Sequence, residues 1–80
     1  MINDVIELFL YTRAGCTACD VFRDSLDAQG ISYHTIDVDT DPELKHQYGA
    51  RIPVLVAGHT EVCVGTYNEA AVARLFGTRQ

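Results

Sequence analysis

Apolar residues along this chain fall into clusters whose spacing switches between the two periods that separate strands from helices. Ile6–Tyr11 is an almost unbroken apolar run, as expected for a strand covered on both faces. Ala18, Phe22 and Leu26, with Val21 beside them, then recur at helical spacing. They predict a helix from Thr17 to about Gln29, closed by Gly30 at C′. Tyr33–Val38 alternates well enough for a second strand, and the handedness of crossovers makes it parallel to the first. Thr40-Asp41-Pro42-Glu43 marks another helix start. Thr40 and Glu43 fit a capping box, and Asp41 is the alternative cap, with Pro42 at N1. Leu44 and Tyr48 supply the buried side of that helix and Gly49 ends it. Pro53–Val56 and Thr60–Val64 flank Ala57-Gly58-His59, a hairpin signature. Asn68 caps a last helix with Ala71, Val72, Leu75 and Phe76 on one face.

The order is β-α-β-α-β-β-α. One crossover unit followed by a hairpin and a helix predicts an α/β domain: a four-stranded mixed sheet with helices on both faces. The 80 residues are expected to form a single domain over 1–80, with no linker, repeat or low-complexity segment to divide them. Apolar residues make up 48% of the chain, enough for a compact core at this size. Eleven acidic against six basic residues give a net charge of −5, which repels phosphate backbones and argues against nucleic-acid binding. No apolar stretch approaches a membrane span, and no charged n-region precedes an apolar h-region. The expectation is a cytoplasmic monomer away from membranes.

Chemistry enters with the cysteines. Three are present, and two form Cys16-Thr17-Ala18-Cys19 where the first strand gives way to the first helix. A cysteine at a helix N-terminus sits among unpaired N–H groups and the positive end of the helix dipole, both of which favour the thiolate. The thiolate attacks disulfides, and a second cysteine one turn later can resolve the product. Cys16 is therefore the candidate nucleophile and Cys19 the resolving thiol. Arg13, just upstream, is a candidate to stabilise the thiolate or to attract a substrate carboxylate. Cys63, between Val62 and Val64 on an expected edge strand, reads as a packed structural thiol, with a regulatory or intermolecular disulfide as the alternative.

A metal centre is not expected. His34, His46 and His59 are dispersed over strand, helix and turn, with no pair at ligand spacing. Asp37-Val38-Asp39-Thr40-Asp41 imitates the opening of a calcium loop, but Pro42 stands where that loop needs glycine and Tyr48 where it needs glutamate. The segment reads instead as a solvated acidic turn that caps a helix.

With Cys16-x-x-Cys19 after the first strand, Ile52-Pro53 opening the third and a β-β-α ending, residues 5–76 resemble the glutaredoxin branch of the thioredoxin superfamily. The resemblance implies a thioredoxin/glutaredoxin-like fold and a cis Ile52–Pro53 bond facing the sulfurs. It makes Ile52, Pro53 and Gly65 candidate substrate-binding residues beside Arg13. Thr17 and Ala18 stand where typical glutaredoxins carry Pro and Tyr, and Gly65 matches only one glycine of their Gly-Gly pair. The function implied is a thiol-disulfide oxidoreductase acting on disulfides of proteins or of glutathione. No cofactor is required, and glutathione or a reductase restores the dithiol. Two rivals from other classes stand beside it. One is an iron–sulfur or metal-binding module completed by dimerisation; the other is a non-catalytic thioredoxin-fold interaction domain.

Overall fold

The computed structural model describes residues 7–75. Within it the first apolar run forms strand β1 (Leu8–Thr12) and the first helical pattern forms α1 (Thr17–Ala28). Strand β2 (His34–Asp37), helix α2 (Pro42–Tyr48), strands β3 (Val54–Ala57) and β4 (Thr60–Val64) and helix α3 (Glu69–Leu75) follow in the expected order. Ile6 and Phe76, assigned above to the first strand and last helix, lie outside the described residues.

The strands pair in the order β2-β1-β3-β4, with β1 parallel to β2 and antiparallel to β3, and β3 antiparallel to β4. Central β1 and β3 send alternate side chains to opposite faces. Leu8, Leu10 and Leu55 meet Phe22 and Leu26 of α1, Val72 of α3 and Cys63 in one layer. Val54 and Val56 meet Val38 and Tyr48 in a second layer, joined by Tyr11, Leu44 and Ile52. Each fully buried leucine or phenylalanine contributes about 2–3 kcal/mol of transfer free energy. Leu10, Leu26 and Leu55 are completely excluded from solvent.

Local chemistry explains the element ends. Gly30 adopts φ +70°, and its N–H reaches Asp27 O at 3.0 Å while the Ile31 N–H reaches Leu26 O at 3.1 Å. Those two bonds are a Schellman closure of α1, with Ile31 packed on the core that holds Leu26. Ala57 pairs directly with Thr60, leaving Gly58-His59 as a two-residue turn in which only Gly58, at φ +63°, has positive φ. That is the type II′ pattern that suits twisted hairpins. The register slips between Leu55 and Val56, so Val62 is the extra residue of a bulge in β4.

Two expectations need correction. The second strand is shorter than Tyr33–Val38, because Val38 opens a 3₁₀ turn (Val38–Thr40) and is completely buried there. Thr40 does not cap α2. Its hydroxyl donates back to Asp37 O at 2.7 Å, while Asp41 Oδ1 accepts the Glu43 N–H at 2.9 Å with Pro42 at N1. Asp41 reaches the free N–H across the rigid proline, so it wins the competition.

Candidate functional site

The loop between β1 and α1 delivers the cysteines. The Cys16 N–H donates to Arg13 O at 3.2 Å, closing a turn that requires Gly15 at φ +80°. A side chain at Gly15 would meet no atom within 4 Å, so its constraint is backbone conformation alone. The turn leaves Cys16 extended as the N-cap of α1, with Sγ accepting the Cys19 N–H at 3.1 Å. A sulfur here does what a serine or aspartate oxygen does at other helix starts. In the disulfide it is a weak acceptor; as a thiolate it takes the same N–H in a charge-assisted bond and gains the helix dipole.

The two cysteines are at disulfide distance, with Cα atoms 5.2 Å apart, but they are not equivalent. Cys16 is half-buried at the rim, whereas Cys19 is 1% exposed on the inner side of α1. An external reactant therefore meets Cys16 first.

Gly65, at φ +79°, donates its N–H to Pro53 O at 2.7 Å, tying the end of β4 to the entry of β3. The Ile52–Pro53 bond is cis and the Pro53 ring is buried. Gly65 also lines an open cleft of about 340 Å³ with Ala18, Val21, Phe22, Thr66 and Tyr67. Through Ala18, which lies between the cysteines in sequence, this apolar cleft borders the Cys16–Cys19 segment, although neither cysteine lines it. Val21 stands on its wall 60% exposed, and Tyr67 meets Phe22 edge-on at 5.2 Å. The Tyr67 hydroxyl is buried without a hydrogen-bond partner among the described residues.

Other expected residues go elsewhere. The Ile52 side chain packs into the layer with Tyr48 and Val54, so any contact with a substrate falls to its backbone. Arg13 is held by Asp39: Nε lies 2.9 Å from Oδ2 and Nη2 lies 3.0 Å from Oδ1. The guanidinium beside Asp39 holds that carboxyl below its usual range, and the carboxylate raises Arg13 in turn. Gly49 makes room for this pair, since a Cβ there would lie 3.3 Å from Arg13 Nη2 and would also press on Lys45 O.

Sequence reasoning missed Asp39, which it assigned to a solvated turn. The one available signal was topological. Parallel pairing aligns Thr12 with Asp37, so the residues after each strand end emerge side by side. Tyr67 was missed as well, because an isolated tyrosine before a cap carries no periodic signal. Cys63 is buried at 4% exposure, and that burial pushes its thiol pKa up. His34 stacks on Phe9 and contacts Glu7 at 3.1 Å. Among the described residues no three His, Cys, Asp or Glu side chains are grouped to hold a metal, so a metal on the dithiol would need ligands from elsewhere.

Comparison with known proteins adds family and fold. A family model described as glutaredoxin-like domain (DUF836) matches residues 7–77. The N-acetyl-S-hydroxy-L-cysteine reductase of Bacillus subtilis is 27% identical over 62 residues, covering 71% of this chain and 67% of that protein. Protein Ne2328 of Nitrosomonas europaea superposes with a TM-score of 0.78 at 27% identity, over 92% of this chain and 96% of its own. The glutaredoxin-like NrdH-redoxin of Escherichia coli superposes with a TM-score of 0.69 at 23% identity, over 91% and 99% of the two chains. This last likeness establishes a shared fold.

Proposed function

The chain belongs to the glutaredoxin-like domain family, and from that premise we propose that it is a thiol-disulfide oxidoreductase in which Cys16 attacks and Cys19 resolves. The observation that carries the reading is the asymmetry of the pair. Cys16 caps α1 at the rim, with a backbone N–H on its sulfur, and Cys19 waits one turn inside.

In the reducing direction the Cys16 thiolate attacks one sulfur of a disulfide R–S–S–R′. A Cys16–S–S–R bond forms, and R′–S⁻ departs and takes up a proton. Cys19 then loses its proton and attacks Cys16 Sγ. The Cys16–Cys19 bond forms and R–S⁻ leaves to be protonated. The substrate has gained two electrons and the protein has lost two. Two molecules of a monothiol such as glutathione, or one dithiol of a reductase, return them. The same first step serves a sulfenic acid R–S–OH, the chemistry named for the Bacillus subtilis relative. There hydroxide leaves and is protonated to water, and Cys19 releases R–SH as before.

The apolar cleft beside Ala18 supplies a floor for the group attached to the attacked sulfur. The backbone around Ile52 and Pro53 is the proposed second wall, and Gly65 connects the two.

The test equilibrates the Cys63→Ser protein with glutathione buffers and counts free thiols. A reversible two-electron transition at roughly −200 to −270 mV supports the dithiol couple. Failure of Cys16 and Cys19 to pair at any poise overturns it. Cys19→Ser is expected to accumulate a mixed disulfide on Cys16, visible as added mass in the intact protein.

A further inference from the structure

A short stretch of chain carries both the reactive sulfur and a cation that is already taken. Arg13 lies three residues before Cys16, and its carbonyl accepts the Cys16 N–H. A guanidinium so placed would recruit a carboxylate-bearing thiol or disulfide to the dithiol, because planar forks bind carboxylates bidentately. Here the fork is filled from within. Asp39 accepts from both Nε and Nη2 in the side-on geometry that an incoming carboxylate would use.

The surroundings reinforce the neutralisation. Asp37, one strand end away, acts on Arg13 in the same sense as Asp39. The C-terminal turn of α2, the partially negative end of the helix dipole, passes close to Nη2 at Gly49. Lys45 is close enough to act on Asp39 and offsets part of this. The outer Nη1 edge of Arg13 has no partner among the described residues, but an anion there would sit beside the Asp39 carboxylate. The chain as a whole carries a net charge of −5.

We propose that Asp39 is a specificity-determining residue: by occupying Arg13 beside the dithiol loop it disfavours carboxylate-bearing thiols, so that the Cys16–Cys19 pair reacts preferentially with uncharged or cationic thiol partners. The proposal rests on the dithiol reading above and narrows its reductant. Glutathione, with two carboxylates against one ammonium, belongs to the disfavoured class. The step compared is the same for every thiol. R–S⁻ attacks Cys16 Sγ, the Cys16–Cys19 bond breaks and Cys19 leaves as a thiolate that is protonated. A second R–SH then releases R–S–S–R and restores the Cys16 thiol.

The experiment follows the reduction of the oxidised protein by glutathione and by 2-mercaptoethanol, in the wild type, Asp39→Asn and Arg13→Ala/Asp39→Asn. Asp39→Asn is expected to speed the glutathione reaction about three- to fivefold, the upper range that one solvent-exposed charge pair supplies. The 2-mercaptoethanol rate should rise by less than half that factor, because this thiol has no carboxylate for Arg13 to bind and exposed charges act only weakly on its thiolate. The double variant should lose the gain. In the wild type, added salt should raise the glutathione rate more steeply than the 2-mercaptoethanol rate, because the attacking glutathione thiolate carries one more negative charge than mercaptoethanolate and screening removes more repulsion. This last measurement does not depend on a variant folding. Equal acceleration of both thiols by Asp39→Asn would show that Asp39 acts on the sulfur itself, and would overturn the specificity role, as would no change in either rate. Reduction by neither thiol in the wild type would instead remove the dithiol reading beneath it.

Discussion

At the scale of single residues, the three cysteines have the same side chain and three different environments. Cys16 combines access with a helix N-terminus; Cys19 has proximity without access; Cys63 has neither. Burial pushes the Cys63 thiol above its ordinary value, with only a weak contact from its sulfur to Asn68 O at 3.9 Å. In reduced protein at pH 7, limiting iodoacetamide should therefore label Cys16 at least about tenfold faster than Cys19 or Cys63, since thiolate fraction and access both set the rate. Digestion and mass spectrometry give the order, and early labelling of Cys63 would contradict it. The Cys63 environment also has a pH signature. A thiol whose folded pKa is raised contributes stability in full below its unfolded pKa, near about 8.5, and loses it as pH rises through the folded value. Replacing Cys63 with alanine should flatten the alkaline limb of a stability profile while leaving thiol-disulfide turnover at Cys16 intact.

At the scale of elements, legibility followed locality. The closure of α1 was readable because a Schellman motif needs only a glycine at the right place, and Gly30 supplies it at φ +70°. The hairpin was readable from Gly58 for the same reason. The end of β2 was not. Asp37, Asp39, Thr40 and Asp41 are all competent caps within a few residues, and sequence alone cannot say which N–H each one takes. In the structure Asp37 takes the Asp39 N–H, Thr40 turns back to Asp37 O, and Asp41 is left to start α2. The bulge at Val62 was equally hidden, because it is a property of pairing with β3 and not of β4 alone. At the site, the cysteines were legible as a spaced motif. The fate of Arg13 was not, since its partner lies 26 residues away. The assignment of caps makes a direct prediction. Asp41→Ala should cost about 1 kcal/mol, as loss of an N-cap does. Gly30→Ala should cost about 1–2 kcal/mol, because a left-handed conformation is imposed on a Cβ in otherwise open space. Urea denaturation at constant m-value measures both; a silent Asp41→Ala would return the capping role to Thr40.

At the scale of the whole molecule, two exposed ion pairs connect segments that the sheet itself does not join. Arg13–Asp39 ties the loop before Cys16 to the turn before α2, and Arg51–Glu61 ties the end of α2 to β4. Arg51 also lies over Tyr48, 5.6 Å from the ring centroid, and Tyr48 stacks on Tyr11 at 4.1 Å. Hydrogen bonds from the arginines hold the Asp39 and Glu61 carboxyls below their ordinary values. A carboxyl whose folded pKa is depressed contributes stability above its unfolded pKa, near about 4, and loses it as pH falls through the folded value. Thermal melts from pH 7 downward should thus lose midpoint temperature below about pH 4. The net charge of −5 complicates that curve, because the first protons also relieve repulsion. Comparison with Asp39→Asn/Glu61→Gln separates the two effects. The double variant should melt only slightly lower at pH 7, as solvent-exposed pairs are weak, and its curve should fall less steeply and meet the wild type in acid. High salt at pH 7 should narrow the gap in the same way, since it screens the pairs without protonating them. A gap that persists unchanged at low pH would mean that these side chains support the fold through packing, and the acid sensitivity would then belong to other carboxylates.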